Sequence, residues 1–180
     1  EDVKKDDIPR QYLYLFLKKN KLERISYGVY KRTDAVEDKL YILQTKNKKA
    51  IYSHETSLFL HDLSDRDPIN YSVTVPYGYN ATHLRKKDLN VYSVKKELHH
   101  MGVIETKSFY GRLIKIYNKE RTLCDIIKNR NNMDNSILNN SLKNYLNSKE
   151  KNIPLLLEYA TKLNIKSVVK DYLEKLLWKI

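Results

Sequence analysis

Residues 9–32 decide the fold of the N-terminal part of the chain, and they read PRQYLYLFLKKNKLERISYGVYKR. Pro9 suits the first turn of a helix whose N-cap lies at Asp7 or Ile8. The apolar positions that follow have the i, i+3, i+4 spacing of a helix packed on one face, namely Leu13, Phe16 and Leu17. This stretch therefore predicts an amphipathic helix that ends near Asn20.

Two strand-like stretches follow this helix, Leu22–Ile25 and Val29–Arg32. Gly28 lies between them and supplies a turn conformation that other residues resist. The pattern predicts a short β-hairpin. Upstream of Pro9, residues 2–5 read as the end of another short helix, with Asp6-Asp7-Ile8 as the turn.

The order of a short helix, a turn, a basic helix and a basic hairpin is typical of a winged helix-turn-helix. Its first helix would lie upstream of Glu1, which is consistent with a chain trimmed at its start. We expect this domain to cover residues 1–34 and a second domain to cover residues 35–180.

The second domain is predicted to mix strands and helices and to end in helices, which gives an α/β (α+β) protein. Residues 34–49 predict a linking helix, and Ser53 is a helix N-cap candidate. The predicted strands are 50–52, 69–76, 90–94, 102–109 and 112–117. The predicted later helices start at Arg121 and then cover 134–148, 153–163 and 165–178.

Composition excludes several classes of protein. The chain has 180 residues, a net charge of +12 and 41% hydrophobic residues, which is too apolar for a disordered chain. No apolar run is long enough to span a bilayer, so we expect no membrane association. A single cysteine excludes a disulfide framework and a thiolate zinc cluster. Without a signal-peptide pattern, a reducing cytoplasm is the expected location.

The positive charge is concentrated at the start of the chain. Residues 10–32 hold seven basic residues and one acid, Glu23, whereas residues 51–100 are neutral overall. A second basic excess follows residue 100. Excess lysine can serve solubility alone, but its placement on a predicted helix and hairpin favours a nucleic-acid partner.

Nine residues are therefore candidate contacts to double-stranded DNA. Arg10 and Gln11, at the start of the helix, have the side chains that read guanine and adenine edges. The other candidates would bind phosphates or the minor groove, namely Tyr14, Lys18, Lys19 and Lys21 on or after the helix and Arg24, Lys31 and Arg32 on the hairpin. The alternative is a solvated amphipathic helix beside a surface hairpin.

Three further groups of residues are candidates for other chemistry. Glu105 and Lys107 form a Glu-x-Lys pattern in a predicted strand, and Asp88 could add a second carboxylate for a metal-dependent nuclease. His54 and His61 lack a completing metal ligand and are expected to be packing residues. Cys124 lies in an apolar helix stretch and is expected to be a core thiol. We expect no cofactor, no metal and no enzymatic activity.

Four segments, in order, resemble motifs of the AbiEi-family antitoxins. LERISYGVY at 22–30 resembles the L-x-R-x-x-x-G-x-Y wing, and SHETSLFLHDL at 53–63 resembles the S-H-x-S/T-A-x-x-L-H-G-L helix. SVTVP at 72–76 resembles the h-x-V-T-V-P strand, and the segment from Tyr117 to Asp125 resembles P-E-R-T-L-L-D. Asp62 stands where glycine is usual, and Asn118 and Lys119 replace the usual Ser/Pro.

The resemblance implies a bifunctional protein of a type IV toxin–antitoxin system, active in abortive infection. Its winged helix would bind promoter inverted repeats and repress its own operon. Its second domain would counteract a cognate nucleotidyltransferase toxin, without requiring a stable complex. By matching position, the DNA-contact role passes to Arg10, Gln11, Lys18, Arg24, Lys31 and Arg32. His61 and Arg121 are implied to be buried hydrogen-bond partners.

Overall fold

A computed structural model describes residues 8–26 and 28–177. The short helix expected at residues 2–5, the cap at Asp7, Tyr27 in the hairpin turn and Trp178 at the end of the last helix lie outside the described residues. The chain divides into two compact units. The first contains the described residues up to Lys48 together with Lys107–Ile114, and the second contains Lys49–Thr106 and the residues from Lys115 onward.

The described part of the first unit contains two helices and a hairpin. Helix α1 covers Arg10–Lys18, strands β1 and β2 cover Leu22–Ser26 and Val29–Arg32, and helix α2 covers Lys39–Lys46. The predicted helix and hairpin are thus confirmed as secondary structure. A winged helix-turn-helix also requires a preceding helix, so that finer assignment stays a prediction.

The hairpin is antiparallel, with Glu23 opposite Lys31 and a register shift next to the turn. Gly28 has φ +72°, in the left-handed region that the turn requires. The end of α1 is tied to the end of the hairpin, because Thr33 Oγ1 donates to the carbonyl of Asn20 at 2.6 Å. Asn20 itself has φ +52°, which ends the helix near the predicted position.

Helix α2 begins later than predicted. Asp38 is its N-cap and accepts a hydrogen bond from Tyr41 N at 3.0 Å, so residues 34–37 precede the helix. Asp38 also accepts a hydrogen bond from Ser108 Oγ, and the Arg112 guanidinium lies 5.3 Å from the centre of the Tyr41 ring. These contacts place the segment 107–114 in the first unit, which also extends beyond the boundary expected at residue 34.

The strands of the second unit belong to a five-stranded sheet. They are β3 (Ile51–Tyr52), β4 (Ser72–Pro76), β5 (Asn90–Val94), β6 (Val103–Lys107) and β7 (Leu113–Tyr117), in the order β5-β4-β3-β7-β6. β4 pairs antiparallel with β3 and parallel with β5, while β3 pairs parallel with β7. The two-residue strand β3 therefore joins both halves of the sheet, and both of its residues are buried.

Helices cover the sheet and form the C-terminal part of the second unit. They are α3 (His54–Leu60), α4 (Thr82–Arg85), α5 (Lys96–His99), α6 (Lys119–Lys128), α7 (Asn135–Asn147), α8 (Ile153–Lys162) and α9 (Lys166–Leu177). A short 3-10 turn covers Arg130–Asn132. Leucines, isoleucines and other apolar residues of α3 and α6–α9 form one core cluster, and the buried hydroxyl of Tyr145 donates to Glu120 within it.

The mixed α/β composition and the helical C-terminus are confirmed. Ser53 is the N-cap of α3, as predicted, but its side chain does not bond the helix backbone. Asn118 does cap α6, accepting from Arg121 N at 3.0 Å. Asp62, which stands where the family motif has glycine, has φ +56°. Among the described residues, no helix combines the length and apolarity needed to cross a membrane.

Candidate nucleic-acid interface

One face of α1 carries polar and basic side chains. Arg10, Tyr14 and Lys18 follow one another at intervals of four residues, and Gln11 lies beside them, so all four share a face of the helix. All four are exposed. The nine-residue helix is about 14 Å long at about 1.5 Å per residue, a length that fits the major groove of DNA.

Lys19 and Lys21, after the helix, are also exposed. No acid lies in the first turn of α1, and Lys18 lies in its last turn. The face therefore combines basic side chains with no nearby acidic residue of the same helix. Such a face attracts phosphate groups at long range and binds them at short range.

Lys31 and Arg32 of the hairpin have acidic partners within the first unit. Lys31 Nζ lies 2.6 Å from Glu23 Oε1 across the two strands, and the Lys31 side chain is only 20% exposed. Arg32 Nε donates to Asp34 Oδ1 at 3.0 Å, and this carboxylate raises the pKa of Arg32. Arg24 is exposed and lies opposite Tyr30. The charges of Lys31 and Arg32 are therefore partly neutralised by these two carboxylates.

The opposite side of α1 lines an apolar groove of about 650 Å³. Leu13 and Phe16 of α1 and Leu22 of β1 line it, together with Thr33 beyond the hairpin. Within the described residues α1 has no fully buried side chain, and Phe16 is 39% exposed. The helix therefore contributes little to a core among these residues, although its apolar stripe has the predicted spacing.

The second unit contains a buried ion pair. Arg121 is fully buried, and its Nε donates to Asp125 Oδ1 at 3.0 Å. Its Nη1 donates to the carbonyls of Leu98 and Met101, and its guanidinium lies 4.3 Å from the centre of the Tyr117 ring. These contacts confirm Arg121 as a buried hydrogen-bond partner.

Burial raises the pKa of Asp125 to about 6, although the charge of Arg121 opposes this shift. Asp125 Oδ2 is buried and has no hydrogen-bond partner among the described residues. The carboxylate is thus hydrogen-bonded on one oxygen only, while the charge of Arg121 partly offsets the cost of burying it.

A second buried group lies beside this ion pair. Thr74 Oγ1 donates to Ser53 Oγ at 2.8 Å, and Ser53 Oγ lies 3.0 Å from His54 Nδ1. The His54 ring stacks on Tyr92, with 3.5 Å between the ring centres. Burial, assisted by the charge of Arg121, lowers the pKa of His54 to about 3, so the ring is neutral at pH 7.

His61 forms a hydrogen bond, as the resemblance implies, but its side chain is only partly buried. Its Nε2 lies 2.7 Å from the carbonyl oxygen of Tyr117, and Ser57 Oγ donates to the same carbonyl at 3.0 Å. Cys124 is fully buried next to Asp125, and burial raises the pKa of its thiol to about 12. Its prediction as a core thiol is confirmed.

The residues considered for a nuclease are not brought together. Asp88 lies two residues before β5 at one edge of the sheet, whereas Glu105 lies on β6 at the other edge. Three strands separate β5 from β6 at about 4.8 Å per step, so the two carboxylates are too far apart to share a metal ion. Across residues 8–26 and 28–177, no three histidine, cysteine or acidic side chains cluster as metal ligands.

Sequence reasoning missed the grouping of His54, Tyr92, Arg121 and Asp125. These residues are distant in sequence. The sequence predicts His54 as a packing residue and Arg121 as a buried hydrogen-bond partner, but it does not bring the four together. A possible signal was present in the segment RTLCD, because a charged residue at each end of an apolar helix stretch has i, i+4 spacing.

A scan against protein-family models found no matching family, and a search among curated proteins found no match. The AbiEi resemblance therefore rests on the four sequence segments alone.

Proposed function

We propose that the protein is a cytoplasmic DNA-binding antitoxin that represses its own operon and counteracts a nucleotidyltransferase toxin. The observation that carries the DNA-binding part is the exposed face of α1 formed by Arg10, Gln11, Tyr14 and Lys18, next to a β-hairpin. The antitoxin part rests on the four segments that resemble the AbiEi family.

The face suits double-stranded DNA for physical reasons. A helix of this length can enter the major groove, where an arginine or glutamine near its N-terminus can contact base edges. Lys18, two turns further along, would then lie toward the phosphate backbone. The short linker after the helix places Lys19 and Lys21 next to the hairpin, in position to contact further phosphates.

The internal ion pairs of the hairpin refine this proposal. Lys31 and Arg32 must exchange Glu23 and Asp34 for phosphate if they bind DNA, and that exchange lowers their net contribution.

Operator affinity, measured by fluorescence anisotropy with a fragment of the protein's own promoter, tests the DNA-binding part. Arg10→Ala should weaken the specific complex by about 1–3 kcal/mol and relax the preference for the operator. Lys18→Ala should weaken specific and non-specific binding alike and reduce the slope of log affinity against log salt by about 0.9.

Lys170→Ala, which removes an exposed lysine of α9 in the second unit, is the matched control and should change neither quantity. If Arg10→Ala and Lys18→Ala have the same operator affinity as the unchanged protein at physiological salt, α1 is not the helix that contacts the DNA bases.

A separate assay tests the antitoxin part. Cells that express a cognate nucleotidyltransferase toxin should survive when they also express this protein. The doubly substituted chain Arg10→Ala, Lys18→Ala should rescue them equally well. Loss of rescue in this variant, at an unchanged level of folded protein, would contradict a division between DNA binding and toxin neutralisation.

A further inference from the structure

We infer that the second unit binds a nucleoside monophosphate group whose base carries an exocyclic amino group, in a cleft between β5 and α6. This site goes beyond the proposed function and does not depend on it. Two adjoining cavities of about 290 and 260 Å³ form the cleft and share lining residues, among them Ser93 and Lys128. Their combined extent suits a small polar ligand.

The inner cavity carries an incompletely satisfied carboxylate. Asp125 lines this cavity and is 7% exposed, and its Oδ2 has no partner among the residues that the structure describes. A buried oxygen of this kind is costly to leave without a donor. An amino group on a ligand supplies such a donor, whereas a carbonyl oxygen at the same place is repelled.

His54 provides a second, independent mark of a site. It is the first residue of α3 and has φ +48°, a conformation that costs free energy for a residue other than glycine. This backbone holds its ring flat against Tyr92, at one wall of the inner cavity. A planar base inserted here would meet an aromatic wall, the surface on which bases stack.

His54 also brings a polar ring to the inner cavity. Thr74 Oγ1 donates to Ser53 Oγ, which lies 3.0 Å from His54 Nδ1. Because a serine hydroxyl both donates and accepts, this contact is compatible with either neutral tautomer of the ring. The match to an exocyclic amino group is therefore made by the acceptor at Asp125, with the imidazole at one wall of the same cavity.

The outer cavity is positive. Lys95 and Lys128 are exposed and line it, whereas Lys162, which also lines it, is paired with Glu158 at 2.7 Å. The two lysines can hold a phosphate while the base occupies the inner cavity. The cleft thus has a carboxylate and an aromatic wall at its inner end and lysines at its outer end. A nucleotide can contact both ends, whereas a simple cation or a simple anion can contact only one.

Isothermal titration of the full chain with paired nucleotides tests the assignment. AMP and IMP differ at the exocyclic position, where IMP has an oxygen, and CMP and UMP differ in the same way. AMP and CMP should bind at least about 10-fold more tightly than IMP and UMP, because the amino group satisfies Asp125. Equal affinity within either pair, or no binding of any nucleotide at millimolar concentration, would overturn the inference.

Two variants locate the ligand in the cleft. Lys95→Gln combined with Lys128→Gln should weaken AMP binding at least about 5-fold and leave adenosine binding unchanged. Lys143→Gln combined with Lys170→Gln, on exposed positions of α7 and α9, is the matched control. If the control pair weakens AMP as much as the cleft pair, the phosphate does not lie between β5 and α6.

A four-nucleotide RNA that ends in adenosine tests whether the bound nucleotide is free or is the last residue of an RNA chain. Binding of this RNA with at least the affinity of AMP, sensitive to the same lysine variants, identifies the end of an RNA chain as the ligand. Binding of AMP alone identifies a free nucleotide. Failure of both overturns the site but leaves operator binding and toxin neutralisation untouched.

Discussion

Replacing His54 with asparagine should make the protein less sensitive to acid. Asparagine tolerates the left-handed backbone that His54 adopts and can still bond Ser53, but it has no ring to protonate. His54 is buried, and its pKa in the folded protein is lowered from 6.5 to about 3. Between these two pH values the unfolded chain binds a proton at this position that the folded chain does not bind.

The folded state is therefore stabilised fully above pH 6.5 and loses stability as the pH falls toward 3. Each pH unit in that window costs about 1.4 kcal/mol, so the change from pH 7.5 to pH 4.5 removes about 3 kcal/mol of the free energy of unfolding. Asp125 acts in the opposite direction, because its raised pKa stabilises the fold as the pH falls from about 6 toward 3.8. Both His54→Asn and the unchanged protein retain Asp125, so this second contribution cancels when their free energies of unfolding are subtracted.

Urea unfolding followed by circular dichroism, at pH 7.5, 5.5 and 4.5, measures that difference. The variant should be less stable at pH 7.5, because it loses the stacking on Tyr92, and should gain about 3 kcal/mol relative to the unchanged protein at pH 4.5. His83→Asn, at an exposed histidine of α4, serves as the control. A difference that stays constant within about 0.5 kcal/mol across this range would show that His54 is not buried as a neutral ring.

Three further predictions concern the second unit. Gly102→Ala should lower the free energy of unfolding by more than about 2 kcal/mol, because the added Cβ would lie 2.8 Å from Arg121 Cβ. Gly78→Ala is its control in the same urea titration and should cost about 1 kcal/mol, because Gly78 also has a positive φ but lies in open space. Cys124 should not react with a thiol reagent at pH 8 until urea unfolds the chain, since burial raises its pKa to about 12; rapid labelling in the folded state would contradict this burial. Tyr145→Phe should lower the free energy of unfolding by about 1–3 kcal/mol, because it leaves buried partners unsatisfied, and an unchanged urea midpoint would argue against those hydrogen bonds.

Local patterns in the sequence predicted most of the secondary structure. Apolar spacing located α1 and the C-terminal helices, and Gly28 located the hairpin turn. Alternation located β5 at its observed bounds, Asn90–Val94. These features depend on neighbours within a few residues, so a single sequence contains them.

The features that sequence reasoning missed depend on distant partners. Asp38 begins α2 and also binds Ser108, which lies 70 residues away, so the predicted start at Asp34 was too early. Ser53 bonds Thr74 instead of the helix that it precedes, because β4 brings that hydroxyl next to it. The cleft at Asp125 requires the parallel pairing of β4 with β5, which no local pattern specifies.

The two-residue strand β3 has a consequence for how the chain folds. Tyr52 pairs with Val73 nearby and with Ile116 far along the chain, so half of the sheet must wait for a distant segment. During synthesis, β3–β5 can form a ladder well before β7 has emerged. The edge left open in that interval is only two residues long, which offers a neighbouring nascent chain little backbone to pair with. We therefore expect the short central strand to limit pairing between chains at this edge while the sheet is incomplete.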